Sequence, residues 1–301
     1  MNGTTTVQLA EKTAKAVTGS VKEWTGFLQS AARLYKYSYP EQLLIYAQRP
    51  DATACASYEI WNQTMRRYVR RGARGIALPD GAGAVRYVFD VADTGARKSS
   101  REVKTWALDE NNREAVAHAL ETQYGSAAKL GIAGQLEEIA MQQSMDYWQW
   151  HQDELRGIVD GSFLEGYDEL NLEIAFRNTA AASVKYMLLS RCNLAREYQI
   201  EPEELAGVLE WNTSAASGAL GSAVSELSEG VLRQIERTIR QYERSQNHDE
   251  RTDVHEERRV LDSRSDSSRT VGDAEQIRTD AGMVSEGASD DHLQQPAPER
   301  K

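Results

Sequence analysis

"RRYVRRGARGIALPDGAGAVRYVFDV", residues 66–91, decides the fold class. Its second half alternates. Val85, Tyr87, Phe89 and Val91 share one face of an extended chain, the pattern of a half-buried strand. "PDGAG" reads as a turn, and "GIAL" before it as a neighbouring strand. The first half carries five arginines: Arg66, Arg67, Arg70, Arg71 and Arg74. Side chains alternate across a strand, so Arg66, Tyr68 and Arg70 point one way and Arg67, Val69 and Arg71 the other. Neither set makes a core face. "RRYVRR" and "GIAL", joined through "GARG", are therefore expected to form a projecting ribbon. Gly72 and Gly75 permit a tight turn and expose backbone N–H groups that can meet phosphates.

Upstream the texture is helical. Residues 1–20 are polar and Thr-rich and are expected to be disordered. From 21 to 36, Trp24, Phe27, Leu28, Ala31 and Tyr35 fall at the spacing of one buried helical face. "YSYP" breaks that helix, because the residue before Pro40 avoids the α region. Pro40 then suits the first turn of "PEQLLIYAQ", which Pro50 ends. "ATACASY" predicts a short strand, and "SYEIWNQ" a short helix capped by Ser57.

Downstream, "DTGARKSS" is a loop with a basic end. Helices are expected near 110–124, 128–150, 152–160, 165–192 and 222–244, with a further helix start at Pro202. Ala180, Val184, Met187, Leu188 and Cys192 keep helical spacing. "GALGSAV" near 218–224 is expected to separate the last two helices. Beyond 245 the chain is rich in Ser, Asp, Glu and Arg, with no aromatic residue after Tyr242. Such a segment buries too little apolar area to offset the entropy of ordering. The expectation is an α+β protein: a small N-terminal mixed domain with helices and a short antiparallel sheet (21–110), an all-helical region (111–245) and a disordered tail (246–301).

Charge is unevenly placed. Residues 1–110 hold 16 Lys/Arg against 11 Asp/Glu, residues 111–245 hold 11 against 21, and residues 246–301 hold 8 against 14. A basic segment thus sits on an acidic chain of net charge −11. Aromatic residues interleave with the cations. A basic groove with stacking platforms is the physical recipe for single-stranded nucleic acid, each stacked base contributing roughly 1–3 kcal/mol. The expected phosphate contacts are Arg66, Arg67, Arg70, Arg71 and Arg74, then Arg33, Lys36 and Arg49. The expected stackers are Tyr37, Tyr39, Tyr58 and Tyr68. Trp61 is expected in the core.

Motifs for chemistry are missing. "HEERR" at 255–259 has Arg259 where a metallopeptidase needs a second His. The chain has no Gly-x-x-x-x-Gly-Lys-Ser/Thr phosphate loop and no Asn/Asp-Pro-Pro-aromatic methyltransferase motif. The five histidines (118, 151, 248, 255 and 292) do not cluster with cysteine at ligand spacing. No catalytic residue, metal or cofactor is expected. Cys55 and Cys192 suit a reducing compartment, and no run of apolar residues is long enough for a membrane span. The N-terminus lacks the pattern of a secretory signal, so a cytoplasmic location is expected.

Taken together, Tyr37-Ser38, Glu41-Gln42-Leu43-Leu44-Ile45, Gln48, Pro50, Ala52-Thr53, Trp61 and Gly72-Ala73-Arg74-Gly75-Ile76 resemble the N-terminal domain of ArdC-type antirestriction proteins. With "RYVFDVADTG", "QLEEIA" and "DGSFLEGYDELN", the chain over about 20–290 also resembles the N-terminal region of large helicase/DNA-methylase proteins of Firmicutes integrative conjugative elements. The resemblance implies single-stranded DNA binding by the N-terminal domain. The peptidase, helicase and methylase motifs of those families are absent here, so a binding module, a fragment or a truncated gene product is expected. The alternative is a protein-interaction module whose acidic helical region docks a helicase/methylase or a restriction protein.

Overall fold

The protein is α+β, with two small antiparallel sheets set among helices. The computed structural model describes residues 2–269 apart from positions 81, 82, 196, 197 and 199, and describes 247–269 as backbone only. In chain order the elements are α1 (Gly3–Val17), α2 (Val21–Arg33), α3 (Tyr39–Gln48), β1 (Cys55–Ser57), a π-turn (Ile60–Thr64), β2 (Tyr68–Val69), β3 (Ile76–Asp80), β4 (Ala84–Asp90) and β5 (Thr94–Gly95). Then come α4 (Arg113–Tyr124), α5 (Gly131–Gly157), α6 (Glu169–Arg191), a 3₁₀ segment (Pro202–Glu210) and α7 (Ser214–Arg269).

The first correction concerns residues 1–20. They form α1, not a disordered arm. Asn2 caps the helix by accepting from the Thr5 N–H at 2.9 Å. The threonines that made the segment look polar turn their hydroxyls onto their own helix: Thr6 donates to Gly3 O and Thr13 to Leu9 O, each at 2.7 Å. Thr6, Thr13, Ala14 and Val17 are then buried where α1 packs on α3 and β3.

The expected face of α2 is the buried one: Trp24, Phe27, Leu28, Ala31 and Tyr35 are all in the core. Pro40 lies in the first turn of α3, where Glu41 accepts from the Ser38 N–H at 3.2 Å. Gln48, at the end of α3, pairs with a strand as a second strand would. Its amide accepts from Ala77 N–H and donates to Ala77 O, each at 3.0 Å. That double bond fastens the edge strand β3 to α3.

The larger sheet has the order β1-β4-β3, with Ile76 opposite Val88 and Leu78 opposite Arg86. Here the expected face of β4 is reversed. Val88 and Asp90 are buried, while Tyr87 is exposed and Val85, Phe89 and Val91 are only partly covered. Val88 joins Ile76, Leu78, Leu44, Ile45, Leu34 and Ala52 in a small core against the helices. Asp90 is tolerated there because Thr53 N–H (2.7 Å), Ala54 N–H (3.0 Å) and Ala92 N–H (2.9 Å) donate to it. The face that holds the buried residues, Ala84, Arg86, Val88 and Asp90, is the less apolar one in sequence; its place is set by Val88 packing on the helices and by the backbone N–H groups that satisfy Asp90.

The expected ribbon is not formed either. β2 pairs with β5, Tyr68 opposite Gly95 and Val69 opposite Thr94, and not with β3. The turn falls at 70–73, closed by Ala73 N–H to Arg70 O at 3.1 Å.

The boundary expected at 110/111 is not a domain boundary. One continuous core runs from Ala14 and Trp24 through Trp148, Phe176 and Trp211 to Ile239. Trp24 donates its indole N–H to Ser183 Oγ at 2.9 Å, tying α2 to α6. Helices expected at 128–150 and 152–160 are a single α5, and "GALGSAV" runs straight through as α7. The chain divides instead into Met1–Gln246 and Asn247–Lys301. Within the expected tail, 247–269 are helical, and 270–301 lie outside the described residues.

Glu236 of α7 anchors this core electrostatically. Lys36 Nζ lies 2.5 Å from it, Tyr35 Oη donates at 2.5 Å and Arg240 Nε at 2.9 Å. Burial alone would raise the Glu236 carboxyl, but hydrogen bonds from Lys36, Tyr35 and Arg240 outweigh it and hold the pKa at about 2. The carboxylate is therefore bound more tightly in the folded state than its proton is. That stability is present above the ordinary carboxylate range and drains away as pH falls towards 2. Glu236→Gln is expected to lose about 2 kcal/mol at neutral pH. Its stability should also fall less than wild type's between pH 5 and 2, as read by denaturant unfolding at several pH values.

Candidate nucleic-acid interface

The β2–β5 pairing brings two distant basic stretches side by side. Arg66–Arg74 lies on one strand's flank, and Arg97, Lys98 and Arg101 follow the other. Two further bonds hold the second stretch against the first. Ser100 Oγ donates to Arg66 O at 2.6 Å, and Arg101 N–H donates to Met65 O at 2.9 Å. Sequence reasoning noted the basic end of that loop but did not assign it to the site. A long-range pairing of two residues per strand leaves no periodic trace.

The five arginines fall into two groups. Arg67 Nε donates to Thr94 Oγ1 at 2.8 Å, and Arg70 Nη1 donates to Ala92 O at 3.3 Å. Both lean on the β5 side, yet a guanidinium has more donors than these bonds use. Arg66, Arg71 and Arg74 are exposed and make no ion pair among the described residues. Arg66 has φ of 54° and Gly72 has φ of 86°, so the backbone reverses sharply on both sides of β2 and presents this run at the surface. Gly75 serves differently: a Cβ there would lie 3.0 Å from the Tyr87 ring.

Two of the second-choice cations are paired with acids inside the protein, and the third, Arg33, is held by backbone carbonyls with donors to spare. Arg49 pairs with Asp93 and approaches Asp51 at 3.6 Å, and the pairing with Asp93 raises its pKa. Lys36 is held by Glu236. Arg33 donates to Ala52 O (3.0 Å), Pro50 O (2.9 Å) and Gln29 O (3.2 Å), bracing the turn into β1.

The tyrosines divide as well. Tyr39 is 4% exposed and packs edge-on to Phe27, so it cannot stack on a base. Tyr37 is half-buried and donates to Cys55 O at 2.8 Å. Tyr58 (49% exposed) and Tyr68 (42%) remain at the surface. One side of the Tyr68 ring lies on Gly95, where a Cβ would collide with it, and Arg97 sits 5.5 Å from its centroid. Tyr87, on the face expected to be the covered one of a half-buried strand, is 45% exposed and packs over Gly75.

The residues that carried the family resemblance are largely scaffold. Gln42 donates to Tyr37 O at 2.8 Å, Gln48 clamps Ala77, and buried Trp61 donates to Phe89 O at 2.8 Å. Among the described residues no group of three or more His, Cys, Asp or Glu side chains could hold a metal ion, and no helix is long and apolar enough to cross a membrane. Burial pushes the thiols of Cys55 and Cys192 up to about 12, far from nucleophile range. Comparison with known protein families, curated proteins and solved structures finds no match to this chain.

Proposed function

We propose that this chain is a non-catalytic, sequence-tolerant single-stranded DNA-binding module, of the kind its resemblance to ArdC-type N-terminal domains implies. The observation that carries the reading is the convergence of two basic stretches across β2 and β5, with exposed Tyr68 on β2 and exposed Tyr87 packed over Gly75, next to Arg74. Cations there neutralise phosphates, and the flat rings accept bases of any identity. The test is fluorescence anisotropy with an oligothymidylate of about 20 nucleotides. Affinity is expected to fall with salt at a slope of roughly −0.7 per phosphate neutralised, so about −3.5 for five contacts. No binding at low salt, or binding indifferent to salt, overturns the proposal.

A second reading has its own observation. A groove of about 580 Å³ between α5, α6 and the 3₁₀ segment exposes Met141, Ile174 and Tyr167 beside Glu137, Glu203 and Glu204. Lys185 bridges Glu137 and Glu204 at 2.7 and 3.2 Å. An apolar floor with an acidic rim suits a basic amphipathic segment of a protein partner, such as a helicase/methylase or a restriction protein. Because the helical region shares its core with α2, the full chain is the bait. Met141→Asp is expected to abolish capture of such a partner while leaving DNA binding unchanged.

A further inference from the structure

A cleft of about 620 Å³ lies between the end of α2, the turn before β1 and the end of α6. Arg33 and Arg191 line it, with Thr53, Thr105 and Ser190, and among the described residues no carboxylate lines it. A smaller cavity of about 210 Å³ shares Arg33 and Arg191 and adds Lys36, Lys104 and Arg240, with Glu236 the one acid among the described residues that line it. Glu236 is already occupied by Lys36, Arg240 and Tyr35.

Both arginines are fixed in place. Arg191 lies flat on the Trp106 indole, 3.4 Å from its centroid, and Nη2 donates to Trp106 O at 2.9 Å. Arg33 is held by three backbone carbonyls. Neither forms a salt bridge among the described residues, and burial lowers the pKa of each. Both keep N–H donors beyond those bonds. Ser190 Oγ, also in the cleft wall, is buried with no hydrogen-bond partner among the described residues. Two fixed guanidinium groups, which Asp51, Asp90 and Glu236 influence without forming a salt bridge to either, thus face one cleft beside a buried hydroxyl.

We infer that this cleft binds a phosphomonoester through Arg33 and Arg191, with room for the attached nucleoside. A phosphomonoester is dianionic near neutrality and matches paired forks better than a diester does. The volume falls within the usual range for a small-molecule site. The same chemistry is offered by a free nucleotide and by the 5′ end of a strand. The inference uses residues separate from the β2–β5 face and does not depend on the function proposed for it.

Two measurements on the intact chain test it. Calorimetry compares adenosine 5′-monophosphate with adenosine, and anisotropy compares 3′-labelled oligothymidylates with and without a 5′-phosphate. The monophosphate is expected to bind at least about 100-fold more tightly than adenosine, a contrast of the size two charge-assisted contacts provide. A preference of about 10-fold for the phosphorylated strand identifies the strand end as the source, and its absence alongside monophosphate binding identifies the free nucleotide. Arg191→Gln should erase the phosphate preference, and Lys104→Gln, exposed at the adjoining smaller cavity, should reduce it with the fold untouched. If wild type distinguishes phosphate in neither assay, the site is overturned. Loss of all strand binding with monophosphate binding retained would overturn the β2–β5 interface alone.

Discussion

Replacing Arg66, Arg71 and Arg74 together by alanine is expected to flatten the salt dependence of single-stranded DNA binding by about 2 and to weaken binding about 100-fold at 0.1 M salt. The choice of three follows from the structure. These side chains are exposed and make no internal ion pair among the described residues, so their removal takes charge from the interface without taking a bond from the fold. Arg67 and Arg70 are poorer targets, since their bonds to Thr94 Oγ1 and Ala92 O steady the β2–β5 pairing. The magnitude comes from counterion release. Each neutralised phosphate contributes roughly 0.7 to the slope, and three such contacts amount to about two decades between 1 M and 0.1 M salt. Thermal unfolding of the triple variant should match wild type within about 2 °C, as expected of surface changes near ±0.5 kcal/mol. An unchanged slope with an unchanged melting temperature would remove these arginines from the interface.

Gly221→Ala is expected to destabilise the protein by about 3 kcal/mol, the opposite of what helix propensity predicts. Alanine in a helix interior is ordinarily better than glycine by about 1 kcal/mol. At Gly221 a Cβ would fall inside the ring of Tyr39, which is buried and fixed by its edge-on packing with Phe27 at 5.7 Å. Helices α3 and α7 approach so closely there that either the ring or a helix must shift. Gly218 and Gly230 supply the control, since a Cβ at either meets nothing within 4 Å. Gly218→Ala and Gly230→Ala should each be neutral or stabilising by up to about 1 kcal/mol. Tyr39→Leu in the Gly221→Ala background should recover part of the loss, because the ring atoms that collide are then gone. Thermal melts of the four variants decide the matter, and a Gly221→Ala protein as stable as wild type would contradict the close approach.

The same contact explains why "GALGSAV" looked like a break. Glycine and small residues in sequence signal loops, and here they signal a helix pressed against an aromatic ring. The N-terminal threonines misled in a similar way. Their hydroxyls are satisfied inside α1, and nothing local announces that α3 and β3 will cover that helix.

By itself the sequence determined what depends on neighbours along the chain. The buried stripe Trp24–Phe27–Leu28–Ala31–Tyr35, the proline-started α3, the turn between the strands at "GIAL" and "AVRYVFDV" and the stripe of α6 were all legible, because turn chemistry and helical periodicity are local properties. Tertiary structure alone decided which face of β4 is buried, that β2 pairs with β5, and that one core spans residues on both sides of position 110. It also buried Tyr39, engaged Lys36 and Arg49 in ion pairs, and set exposed Tyr87 and the stretch holding Arg97, Lys98 and Arg101 near Arg66–Arg74, which is why the proposed interface uses them instead. A charge or a ring counts for binding only if its fold leaves it unpaired at the surface, and that is settled by contacts between residues far apart in the chain.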